Sequence, residues 1–347
     1  MRVATRTGGT GETRTIFLFG LFDRFPNILG GAIRQFKAET GRMNVFATMR
    51  PPCIMDTDPP ESYGFDSLTK GYPACLRCWY REQMTVRSPG GNQVKNADVA
   101  WGAFDPIAYV DHNYRDLQPE DAEILPILRD HFGDHFRKQG KGPVSGIDVG
   151  AGANLYPAFS MMPWCDDVTL FERSPANVEY LEGQLDSYDE NWDQFWGVLC
   201  ENETYGSFPV DPRQQFRKVA KVEQGDILGL ESFGGRWSVG TMFFVAESMT
   251  SSYAEFTQGV EHFMRALAPG APFAAAFMEH SKGYYTGKKF FPACDVGESE
   301  VRASLKPFAD DFEVYRLKTE ANLRAGYSGM ILSYGWRGKS DALVPMV

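Results

Sequence analysis

The sequence predicts an α/β fold, a mainly parallel sheet wound on both faces by helices. Three observations carry the prediction. From Lys141 onward, short apolar runs alternate with segments of helical period, the pattern of strands covered on both faces. The first run ends in a glycine turn, GIDVGAGANLYP at 146–157, at the strand end where a doubly wound sheet meets its ligand. The second run ends in an acid, Glu172, 20 residues after Gly152, the spacing at which a strand-end carboxylate reaches a ribose.

Taken in order, residues 1–95 lack that alternation. Stretches such as TRTGGTGETRT and MRPPCIMDTDPPESYGF are dense in Gly, Pro, Ser and Thr, and they read as an irregular N-terminal extension or lid. IFLFGLF (16–22) follows several arginines, but Asp23 and Arg24 come directly after it and no small-residue cleavage site follows. It reads as an extended or amphipathic piece rather than a signal peptide.

Residues 96–140 read as an N-terminal helical cap. A turn and short helix span FDPIAYVDHNY (104–114), and Ile124, Leu125, Leu128, Phe132 and Phe136 share one face of a longer helix. In the body, 141–338, strands are predicted at 144–149, 167–172, 218–226, 237–246, 271–278, 312–318 and 328–336. Helices are predicted near 154–162 and at 175–187, 251–268 and 297–308. The last two strands are joined by a loop alone, which predicts an antiparallel ending. Residues 339–347 read as a tail.

Composition excludes several classes. The net charge of −10 over 347 residues disfavours binding to a phosphate backbone, so no nucleic acid is expected. No apolar run is long enough to span a membrane, and a cytoplasmic location is expected. Cys75 and Cys78 have metal-ligand spacing with Cys53 upstream, but no histidine lies within residues 1–100. They read as free thiols, and no metal site is expected. The 14% aromatic share suits a well-filled core or a pocket for a flat ligand.

The glycine turn then has to be assigned to a nucleotide. Gly150 and Gly152 let the backbone approach a ligand, but Leu155 stands where a dinucleotide loop has its third glycine, which weakens the diphosphate reading. Glu172 suits the ribose of NAD and of S-adenosylmethionine equally. QGDI (224–227) ends the third strand, where Asp226 can accept from an adenine amino group while Ile227 covers the ring. TMFFVAES ends in small and apolar groups, Val245 among them, fit to line a methyl donor. The plain alternatives are a solvated strand end for Glu172 and a turn cap for Asp226. Three function classes stay open on the residues alone: an S-adenosylmethionine-dependent methyltransferase, an NAD(P)-dependent oxidoreductase, and a non-catalytic binding protein on the same fold.

These residues resemble the family of methyltransferases that includes nicotinamide N-methyltransferase, phenylethanolamine N-methyltransferase and thioether S-methyltransferase. FDPIAYVDHNY, DVGAGANLYP (148–157), ERSPANVEYL (172–181) and EHSKGYYTGKKF (279–290) are similar to its signature segments. The resemblance implies a Rossmann-like class I methyltransferase with a seven-stranded mainly parallel sheet and S-adenosyl-L-methionine as cofactor. It places Tyr109, Tyr114, Gly150, Tyr156, Glu172, Asn177, Asp226 and Ile227 against that cofactor, with Tyr109 and Tyr114 closing over it and Tyr156 near its methionine end.

In the substrate stretch Glu279 is the nearest match to the acid that holds an amine or amide, in a segment one residue shorter. His112, His280, Tyr284 and Tyr285 are further candidates for a base or a substrate contact. The family's chemistry and the aromatic content together favour a flat aromatic small molecule, methylated on nitrogen or on an indole-type carbon, as in natural-product biosynthesis. The extension is left to lid the pocket or to form a homodimer interface.

Overall fold

A computed structural model describes residues 93–138, 144–318 and 326–339, together with three short strands nearer the N-terminus. The chain divides into two units, Met1–Tyr80 and Arg81–Val347. In the first, β1 (Arg2–Thr7) pairs antiparallel with β2 (Thr13–Leu18) on one side and with β3 (Val45–Phe46) on the other. This small sheet differs from the irregular reading of residues 1–95, although β2 holds the start of IFLFGLF in the extended form expected. Cys53, Cys75 and Cys78 lie outside the described residues.

The second unit opens with two 3-10 turns and the cap. Helix α1 (Pro106–Asn113) starts where a helix should, with proline at its first position and the Asp105 side chain accepting from the Ala108 N–H at 3.0 Å. Helix α2 (Pro119–Lys138) has acids in its first turn and bases in its last, matched to the helix dipole. Its predicted apolar face is the buried one, with Ile124, Leu125, Leu128 and Phe132 fully enclosed.

The main sheet comprises β4 (Ser145–Val149), β5 (Asp167–Glu172), β6 (Ala220–Gln224), β7 (Val239–Phe243), β8 (Pro272–Glu279), β11 (Ala309–Arg316) and β12 (Gly329–Arg337). Their spatial order is β11-β12-β8-β7-β4-β5-β6. The β6-β5-β4-β7-β8 ladders are parallel, and β12 runs antiparallel to both its neighbours. The seven predicted strands and the antiparallel ending are all present.

Strand β8 shows how the sheet makes two cores. Ala274, Ala276 and Met278 face one cluster, while Phe273, Ala275 and Phe277 face the other, the two-residue period of a strand covered on both sides. Helices α3 (Tyr156–Met161), α4 (Pro175–Asp186), α8 (Tyr253–Ala266) and α9 (Glu298–Leu305) stand where helices were predicted.

Two features of the second unit were also not predicted. Three short helices, α5 (Asp193–Leu199), α6 (Glu203–Gly206) and α7 (Pro212–Val219), fill the stretch between α4 and β6. They are too short for a periodic signal, and the Asp211-Pro212 cap pair was the readable clue. The hairpin of β9 (Tyr284–Thr286) and β10 (Lys289–Phe291) lies within the segment read as the substrate stretch. No helix among the described residues is long and apolar enough to cross a membrane.

Candidate active site

The carboxyl ends of β4 to β7 open onto a cavity lined by Gly150, Glu172, Asp226 and Phe243, at the place where a doubly wound sheet holds its ligand. Gly150 and Gly152 form its floor with φ of 64° and 61°, the left-handed region that favours glycine. The Gly150 N–H donates to the Phe171 carbonyl at 2.7 Å, which ties the turn to the end of β5.

Glu172 braces the turn from the next strand. Its carboxylate accepts from the Gly152 N–H at 2.8 Å and from the Ser174 N–H at 2.6 Å, with the Asn177 amide at 3.4 Å. Burial raises its pKa, and those donors draw it partly back. Ser174 caps α4 and Pro175 follows at the first position, so local sequence sets where Asn177 stands. Asn177 lines the cavity, and its Oδ1 is buried without a hydrogen-bond partner.

Asp226 fulfils the plain reading of a turn cap and also lines the cavity. Its Oδ1 accepts from the Leu228 N–H at 3.0 Å, capping a 3-10 turn, and its side chain lines the cavity beside Ile227. Val245 closes the wall opposite Gly150. Tyr109 and Tyr114, 5.8 Å apart between ring centres, line the cavity from the cap. Trp101, Phe104 and Tyr284 join them, packed around Phe291 of the hairpin.

Five expectations do not fit this geometry. Tyr156 is fully buried behind the wall, stacked on Phe195 at 5.5 Å with its hydroxyl toward the buried Asp121. Glu279 lies outside the cavity lining and pairs with Arg316 Nε at 2.9 Å and Ser328 Oγ at 2.6 Å. His112 is exposed on α1. His280 is exposed, bonded through Nδ1 to Asp295 at 2.7 Å. Tyr285 is 58% exposed, on the outer face of the hairpin against Phe290. Of the proposed catalytic and substrate groups only Tyr284 lines the cavity, its hydroxyl donating to the Ser248 carbonyl at 3.4 Å.

Residues not singled out as site residues also line the cavity, among them Asn96, Arg173, Phe244 and Ser248. Arg173 was findable as the neighbour of the strand-end acid. Phe244 has a φ of 60°, a strained value for an aromatic residue that no sequence pattern announces.

Glu279→Gln therefore tests a structural pair. Burial works against the Glu279 carboxylate, but bonds from Ser328 and Arg316 outweigh it and hold the pKa below its ordinary value. Its stabilisation is present above the ordinary carboxylate range and is lost as pH falls through the depressed value. With Arg316 half-exposed, the loss at neutral pH is at most about 1 kcal/mol. Thermal melts should show it, with cofactor affinity and turnover unchanged.

The donor set suits a cationic adenosine cofactor. Glu172 and Asp148 are both buried, and neither forms an ion pair among the described residues. Asp148 accepts from Thr241 Oγ1 at 2.7 Å, while its Oδ2 has no partner. The Glu172 carboxylate, held by three donors beside the turn, disfavours a pyrophosphate and favours a sulfonium with an amino group. Burial pushes the Asp148 pKa up to about 8. For a carboxylate raised in the fold, stability is fully present below the unfolded value and is lost as pH rises through the folded one. Asp148→Asn should abolish that decline. Relative to wild type, the variant should gain roughly 2–4 kcal/mol between about pH 4 and about pH 8 in denaturant titrations.

Comparison with known proteins supports the same cofactor. The model of the NNMT/PNMT/TEMT family matches residues 92–329. Among solved structures the chain is similar to a SAM-dependent methyltransferase from Methanosarcina mazei, at 13% identity over 64% of this chain and 98% of that one, TM-score 0.42. It is also similar to the N-methyltransferase NodS from Bradyrhizobium japonicum, at 12% identity over 64% and 98%, TM-score 0.41. No curated protein sequence matches. At these identities and TM-scores the structural likenesses carry no functional argument, which rests on the family match. With that match spanning most of its second unit, the chain belongs to the NNMT/PNMT/TEMT family of S-adenosylmethionine-dependent small-molecule methyltransferases.

Proposed function

We propose that the protein transfers a methyl group to a nitrogen or an indole-type carbon of a flat aromatic small molecule, in the cytoplasm and in natural-product biosynthesis. The observation that carries this reading is the cavity wall. Trp101, Phe104, Phe244 and Tyr284 face it, and such aromatic faces suit a flat acceptor and a cationic donor alike. The cofactor supplies the activated methyl group when bound.

The chain's own task is to orient the two reactants and keep water out. In this reading Gly150, Gly152, Glu172 and Asn177 hold the ribose and the methionine side, while Asp226 and Ile227 hold the adenine. Tyr109 and Tyr114 close over the donor. Tyr284 is the remaining candidate for a base, which a carbon acceptor needs more than an amine does.

Mass spectrometry of reactions with isotope-labelled cofactor, run against a panel of amines, pyridines and indoles, tests the proposal. Label is expected in an aromatic nitrogen heterocycle or an indole ring. Label found only in aliphatic or strongly anionic acceptors would overturn it.

A further inference from the structure

Asn96 makes more connections than its place in an irregular segment suggests. It is 1% exposed, in a 3-10 turn on the stretch that precedes the cap. Its backbone N–H donates to Glu255 at 2.8 Å, and its carbonyl accepts from Arg173 Nη1 at 2.9 Å. Its side-chain oxygen accepts from the Trp101 indole N–H at 3.0 Å, and its amide donates to Asp226 Oδ1 at 2.9 Å. Only a side chain that donates and accepts through one short fork can make both of the last two bonds. The same stretch is fastened at both ends. Val94 exchanges bonds with Ser251 at 2.8 and 2.9 Å, and the Trp101 carbonyl accepts from Ser174 Oγ at 2.8 Å.

The consequence falls on Asp226. Asn96 and the Leu228 N–H occupy Oδ1, while Oδ2 faces Arg173 Nη1 at 3.1 Å. A carboxylate oxygen accepts about two bonds, so Oδ2 retains one free direction and Oδ1 none. We infer that Asn96 is a positioning residue for the nucleobase, fixing the Asp226 carboxylate so that Oδ2 reads the 6-amino group of adenine, and that residues 93–104 form a strap over the nucleoside end of the cavity. The inference rests on the assignment of this cavity to the cofactor and of Asp226 to its adenine.

Calorimetric binding of S-adenosylhomocysteine and of its deaminated analogue, S-inosylhomocysteine, tests it. Wild type is expected to prefer the adenosine form by roughly tenfold, and Asn96→Ala and Asn96→Asp are expected to erase most of that preference. Trp101→Phe, which removes only the indole donor holding the Asn96 oxygen, should erase part of it and guards against a fold-breaking change at Asn96. Variants that keep the wild-type preference overturn the inference, even with a lowered melting temperature. So does a wild type that binds both ligands equally. A wild type that binds neither overturns the cofactor assignment as well.

Discussion

Gly150→Ala is expected to lower stability by about 2–4 kcal/mol, from backbone strain and overpacking together, and to weaken cofactor binding with it. A Cβ at this position would lie 2.5 Å from Cγ1 and 2.7 Å from Cγ2 of Val245. A β-branched valine has little rotamer freedom with which to move aside. The φ of 64° adds strain of its own. Gly152→Ala is the control. It has a φ of 61° and no neighbour nearer than 3.7 Å, so only the conformational cost of about 1 kcal/mol should appear. Adding Val245→Ala to Gly150→Ala removes the clash and should recover the difference. Thermal melts with and without S-adenosylhomocysteine check all three. Equal losses at Gly150 and Gly152 would show that close approach to Val245 is not what fixes the turn.

The parts of the site that were legible are those set by local pattern. Glu172 ends a strand, Ser174 and Pro175 start a helix, and Asn177 follows on its first turn. Each position follows from the one before it. Asp226 was legible as a turn cap at a strand end, and its place beside the cavity follows from the same position.

What stayed hidden depends on partners far away in sequence. Glu279 ends β8 as expected, but antiparallel pairing with β12 places Gly329 opposite it. That register brings up Ser328, 49 residues on, and Arg316 from β11, 37 residues on. Nothing in EHSKGYY announces either. Tyr156 sits in its predicted register, but its ring is claimed by Phe195 of α5, an element without a periodic signal. The aromatic roof likewise needs the β9–β10 hairpin to deliver Phe291 to Trp101 and Phe104.

Glu172→Gln should lower affinity for S-adenosylhomocysteine by roughly a hundredfold, the loss expected when a charge-assisted acceptor is replaced and a buried donor is orphaned. Both carboxylate oxygens accept: Oε2 from Gly152, Oε1 from Ser174 and Asn177. Glutamine offers one oxygen and one NH2 group, so a donor must face a donor whichever way the amide turns. Protonation of the wild-type carboxyl has the same effect. Because burial raises the Glu172 pKa, cofactor affinity should be present above that raised value and fall away as pH drops through it. The empty protein responds in the opposite sense, since a raised carboxyl contributes stability below its unfolded pKa and loses it as pH rises through the folded one. Calorimetric titrations from mildly acidic to mildly alkaline pH should therefore give a rising affinity for wild type and a flat, weak one for Glu172→Gln. A glutamine variant that binds like wild type at neutral pH would remove this carboxylate from the cofactor site. The brace on Gly152 would then be its whole role.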